Sequence, residues 1–239
     1  MGILAVTAVT VIVELFTSEG CSSCPPADAF LQKLVDAQPV SDVQIVALGE
    51  HVDYWDRLGW KDRFSSAALT ARQEAYSNQF KLNSIYTPQM VVDGRAEFVG
   101  TDVNAARNAL EQARRAAHGV VNLKADGGPE SAVVQVTVTA DQLPPISSGD
   151  HADIIIAITE DRLRSDVKRG ENQGKLLAHA AVVRHLATIG EATSSGSSTA
   201  TAQLPLGPDW KRENLRIVAF VQARRSRTIL AASTVQAPR

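Results

Sequence analysis

The stretch Val9-Thr10-Val11-Ile12-Val13-Glu14-Leu15-Phe16-Thr17-Ser18-Glu19-Gly20-Cys21-Ser22-Ser23-Cys24-Pro25-Pro26-Ala27-Asp28 decides how the chain begins to fold. Residues 9–16 are rich in β-branched side chains and read as a buried strand. Residues 17–20 read as a turn. From Pro25 onward Ala27, Phe30, Leu31, Leu34 and Val35 recur at helical spacing, so an amphipathic helix is expected to face a sheet. Pro25 and Pro26 suit its first turn, where a missing N–H costs little, and Pro39 closes it.

Both cysteines of the chain lie in this stretch. Two cysteines separated by two residues in the first helical turn bring their Cα atoms within disulfide reach. Partial positive charge at the helix N-terminus favours a thiolate on the first of them. Cys21 is therefore expected to be the exposed, more acidic nucleophile, and Cys24 the resolving thiol that releases a mixed disulfide. A zinc site would need a second cysteine pair or paired histidines, which the sequence lacks. A purely structural disulfide would remove little entropy by closing so short a loop.

Working outward, residues 43–48 form a second expected strand, followed by the loop of residues 50–60 and a helix over residues 66–80. Thr87-Pro88 leads into a strand at residues 89–92. Asp93-Gly94 is a hairpin signal, residues 96–99 return, and a third helix covers residues 102–117. This order predicts a thioredoxin-like α/β domain at residues 1–119, a central mixed sheet flanked by helices. A cis bond is expected at Pro88, turning the backbone of Thr87 toward a bound peptide. Glu14 is a candidate proton acceptor for Cys24, or else a solvated strand-edge acid. His51 is a candidate neighbour of the thiolate, oriented by Asp53 or Asp56. The bland reading of this loop is a lid, with Tyr54, Trp55 and Trp60 supplying bulk.

Beyond Gly119 seven further strands are expected, separated by loops rich in Gly, Pro and Ser at residues 126–129, 143–145 and 193–198. They predict an all-β sandwich-like domain at residues 120–239. The basic run at residues 162–175 reads as a solvated face. His118, His151, His179 and His185 read as scattered surface or strand-face residues.

The formal net charge of −2 gives no reason to expect a nucleic-acid partner. No stretch reaches the roughly 20 apolar residues of a membrane span. The apolar residues 1–13 lack a basic start and run straight into the cysteine motif. They read as the first strand behind a short leader, from which a targeting segment has been lost.

The string at residues 13–28, with His51-Val52-Asp53-Tyr54-Trp55-Asp56 and Tyr86-Thr87-Pro88-Gln89-Met90-Val91-Val92-Asp93-Gly94, resembles a bacterial family of exported thioredoxin-like proteins of unknown function. Residues 170–175 and 179–184 resemble its C-terminal β domain. The resemblance implies a periplasmic or secreted setting and covers nearly the whole chain. The leading expectation is a thiol–disulfide oxidoreductase acting on a protein partner, with its dithiol in place of a cofactor. Two alternatives stand beside it: a Cu(I)-handling protein using Cys21, Cys24 and His51, and a binding module whose dithiol is idle.

Overall fold

A computed structural model describes residues 8–128 and 131–238. The leader reading at residues 1–7 and the loop position of Pro129 lie outside the described residues. The first half contains β1 (Val9–Thr17), α1 (Pro25–Ala37), β2 (Val43–His51), α2 (Ala67–Phe80), β3 (Gln89–Val92), β4 (Ala96–Val99) and α3 (Val103–Arg115). The second half contains β5 (Val120–Asp126), β6 (Val133–Asp141), β7 (Ala152–Glu160), β8 (Leu163–Asp166), β9 (Leu176–His179), β10 (Val182–Ala192), β11 (Ser198–Pro205), β12 (Leu215–Ala223) and β13 (Ile229–Gln236).

The strands assemble differently from the expectation. A thioredoxin-like, helix-flanked α/β domain followed by a separate β-sandwich is overturned by an 8-stranded mixed sheet of order β13-β12-β7-β10-β2-β1-β3-β4. The chain is mostly β. The physical reason lies at β2, whose outer edge is not left open. Val182 of β10 pairs with Gly49 in parallel, and the Gly49 N–H donates to the Ala181 carbonyl at 2.8 Å. Glycine is required there by proximity. A Cβ on Gly49 would lie 2.5 Å from the Ala180 carbonyl oxygen.

Strand alternation sorts the contacts onto two faces. Val11, Val13 and Leu15 of β1 pack with Ala27 and Leu31 of α1 and Leu110 of α3. Ile12 of β1 packs with Leu69 of α2, and Phe16 with Tyr76. Further along the sheet, Ile154, Ile156 and Ile158 meet Val134, Val136 and Val138 of a 3-stranded sheet, order β11-β6-β5. Ile155 and Ala157 face the opposite way, toward Phe220. β7 is thus covered on both sides, which explains its unbroken apolar run. Each fully buried isoleucine contributes about 1.5–3 kcal/mol.

β8 and β9 form a 2-stranded sheet that the sequence reading missed. The charged residues of the run at 162–175 are nonetheless exposed, as a solvated face requires, while Val167 and Asn172 between them are fully buried, Asn172 against the turn before α1.

Candidate functional site

β1 ends at Thr17, and the chain turns through Ser18-Glu19-Gly20 into the cysteines. Cys21 and Cys24 form a disulfide, with Cα atoms 5.4 Å apart. The Cys24 N–H donates to the Cys21 carbonyl at 3.2 Å, so the four residues form a turn ahead of the helix. Cys24, rather than Cys21, is the N-cap of α1. Pro25 and Pro26 at the first two helical positions remove two amide donors from this end. The expected exposure of Cys21 is also corrected: both cysteines are fully buried, while Ser22 and Ser23 are exposed. The Ser23 hydroxyl lies 3.4 Å from Cys21 Sγ.

Two segments hold the turn that carries the disulfide. Asn172 donates through Nδ2 to the carbonyls of Glu19 at 2.9 Å and Cys21 at 3.0 Å. Glu171 accepts from the exposed Ser22 N–H at 3.1 Å. On the other side Trp55 stands so close that a Cβ on Gly20 would meet its Cβ at 3.1 Å. Trp55 Nε1 donates to Thr87 Oγ1 at 2.8 Å, so Trp55 bridges the turn before the cysteines and the loop before β3. The Thr87–Pro88 bond is cis. Pro88 reaches the cysteine helix across Gly100, where an added Cβ would touch both Pro88 Cβ and Ala27 Cβ.

Below the disulfide is a buried polar cluster. Asp28 lies one turn along α1 from Cys24 and accepts from Thr17 Oγ1 at 3.0 Å. His51, at the end of β2, is paired with Thr17 in the parallel register. Its Nδ1 lies 2.6 Å from Asp62 Oδ2. Asp62 also accepts the Glu19 N–H at 2.8 Å and the Phe64 N–H at 2.9 Å. His179, at the end of β9, comes against His51 with ring centroids 4.9 Å apart. Its Nε2 lies 3.3 Å from Glu19 Oε1, while Trp60 Nε1 donates to Glu19 Oε2 at 2.6 Å. Phe64 packs edge-on against both imidazoles.

Burial pushes the Asp28 carboxyl up to about 6, against the opposing pull of His51, His179 and the Thr17 hydroxyl. Burial disfavours the charged form of His51, yet the Asp62 carboxylate, with Asp28 and Glu19, holds its pKa above the ordinary value. Asp62 is held below its ordinary range: burial opposes this, and His51 with the two backbone N–H donors outweighs it.

Several expected partners lie elsewhere. Glu14 has the opposite strand parity to Thr17, and its carboxylate is bound by Arg72 and Tyr76 from α2. It therefore faces away from α1 and cannot serve Cys24. Asp53 accepts from Thr70 Oγ1 at 2.7 Å, and Asp56 from Ser65 Oγ at 2.9 Å. The acid that orients His51 is Asp62 instead. His51 is grouped with Asp28 and His179 rather than with the cysteines proposed as its Cu(I) co-ligands. Asp28, Asp62, Glu19, Asn172 and His179 were missed. Only Asp28 had a signal, its helical spacing of four from Cys24.

A family model described as a protein of unknown function (DUF1223) matches residues 12–222. No curated protein matches the chain. A crystal structure of a protein from Agrobacterium tumefaciens is similar at 29% identity and a TM-score of 0.72, covering 97% of this chain and 96% of that one. A domain of the outer membrane lipoprotein Omp28 from Porphyromonas gingivalis is 16% identical with a TM-score of 0.30, covering 51% of this chain and 96% of that chain. That likeness is too low to carry an argument. The matches agree with the resemblance to a family of unknown function and lend nothing to a thioredoxin assignment.

Proposed function

The chain belongs to the DUF1223 family, whose function is unknown, and we propose that it is a thiol–disulfide exchange protein acting on protein thiols in an oxidising compartment. The observation that carries this reading is the buried Cys21–Cys24 disulfide at the head of α1, in a turn held by side chains from two other segments. So short a closed loop adds little stability, so a structural role explains it poorly. In the oxidising direction a partner thiolate attacks Cys21 Sγ and breaks the sulfur–sulfur bond. Cys24 leaves as a thiolate and takes a proton from water. A second partner thiolate then attacks the partner's sulfur of the mixed disulfide, forming the partner disulfide and releasing Cys21 as a thiolate. Two electrons pass from partner to protein. Ser23 Oγ is positioned to donate to the Cys21 thiolate, which favours Cys21 as the nucleophile.

The turn must loosen for this chemistry, and the exposed Ser22–Glu171 contact is its weakest fastening. The test is equilibration of the full chain with glutathione buffers, followed by partner trapping on Cys24→Ser. A reversible two-electron couple and stable mixed disulfides through Cys21 are expected. A disulfide that no glutathione ratio reduces in the folded protein would overturn the proposal.

A further inference from the structure

One donor atom from each of Asp28, His51 and His179 lies within 4.8 Å of the other two, and all three residues are buried. They come from α1, β2 and β9, so the fold itself brings them together. Each histidine has a carboxylate beside it: His51 Nδ1 is hydrogen-bonded to Asp62 at 2.6 Å, and His179 Nε2 lies 3.3 Å from Glu19 Oε1 without hydrogen-bond geometry. Carboxylates behind the far nitrogen of a histidine fix its ring and raise its basicity toward a cation. Among the described residues, His51 Nε2 and both ring nitrogens of His179 are buried and make no hydrogen bond, which is costly unless a further partner is present. The cluster also holds more acids than bases, with Glu19, Asp28 and Asp62 around two imidazoles. A cation would balance it.

We propose that Asp28, His51 and His179 form a mononuclear site for a divalent first-row transition-metal ion, with zinc the best-matched probe. Two imidazoles and one carboxylate are nitrogen and oxygen donors of the borderline kind that zinc takes. Three protein ligands leave a further position for water or substrate. A cavity of about 440 Å³ between α1 and β9 is lined by both Asp28 and His179, with Gln32 and Lys33 at its wall. The donors are not the sulfurs, so the site is complete while the disulfide is closed.

The experiment uses the full chain with its disulfide intact, stripped with a chelator and titrated with zinc by calorimetry. One zinc per chain is expected, with a rise in unfolding temperature. Cobalt in its place should give ligand-field bands and no thiolate charge-transfer band. His179→Ala should abolish binding, and Asp62→Asn, which leaves all three ligands, should weaken it about 10–100-fold. Absence of zinc binding by the oxidised protein would overturn the proposal. So would binding that appears only after reduction, because the thiols would then be the ligands. If His179→Ala does not fold, the cobalt spectrum decides: sulfur bands or no uptake refute the site.

Discussion

Asn172 Nδ2 lies 3.0 Å from the carbonyl oxygen of Cys21, 151 positions away in the sequence. The same nitrogen lies 2.9 Å from the Glu19 carbonyl, so one buried amide holds the turn on both sides of Gly20. Asn172→Ala leaves two buried acceptors without a donor, at a cost of about 1–3 kcal/mol. It should also loosen the turn, so that dithiothreitol reduces the disulfide faster than in the wild type. Stopped-flow reduction followed by thiol counting measures this. An unchanged rate in a folded Asn172→Ala would show that the loop does not gate the sulfurs.

The thiolate at Cys21 has few donors. Pro25 and Pro26 contribute no N–H, and the Ser23 hydroxyl supplies a dipole but no charge. A strong oxidant needs a heavily stabilised thiolate. We expect a potential of about −250 to −170 mV, within the span known for such pairs. Equilibration with glutathione buffers measures it. A potential of about −120 mV would make the protein a dedicated oxidant and refute this account.

Gly49→Ala tests the seam between the two halves. The added Cβ would meet the Ala180 backbone carbonyl oxygen at 2.5 Å, and backbone cannot swing aside as a side chain does. A loss of about 1–3 kcal/mol is expected in urea unfolding. Gly128→Ala is the control, since among the described residues no heavy atom beyond its chain neighbours lies within 4 Å of its added Cβ. It should change stability by no more than about 0.5 kcal/mol.

Asp93 gives a pH signature. It is fully buried, accepts the Ile12 N–H at 2.8 Å and lies 2.8 Å from His118 Nε2. Burial raises its pKa, although His118 and the Ile12 N–H pull the other way. A carboxyl held more tightly protonated in the folded chain contributes its full stability below the unfolded aspartate value. That contribution is lost as pH rises through the folded value. The stability of the wild type relative to Asp93→Asn should therefore fall as pH rises from about 4, as measured by urea unfolding at a series of pH values. A relative stability that climbs with pH would mean that the ion pair with His118 dominates.

The local elements were legible because each carries its own signal. β1 reads from its β-branched residues, α1 from Ala27, Leu31 and Leu34, and the turn at Asp93-Gly94 from its residue types. The pairing of β2 with β10 was not, because it is a single parallel bridge between strands remote in sequence. Of the site, the cysteines and His51 could be found by motif and by the position of a loop. Glu14 was misassigned for want of a register: it and Thr17 differ in strand parity, which only the position of α1 converts into opposite faces. His179 gave no signal at all, since its partners His51 and Asp28 come from the other half of the chain.

The bridge at Gly49 also governs how the chain is made. Synthesis runs from the N-terminus, and β2 is complete long before β10 exists to cover its outer edge. Until then the Gly49 N–H, which donates to the Ala181 carbonyl in the finished sheet, has no strand beside it. Ile45 on the same edge is guarded sooner: Gln38, just past α1, accepts its N–H at 2.7 Å and donates to its carbonyl at 3.1 Å. The edge is thus capped at one point by a local side chain and at another by a distant strand, and a nascent chain lacks only the second.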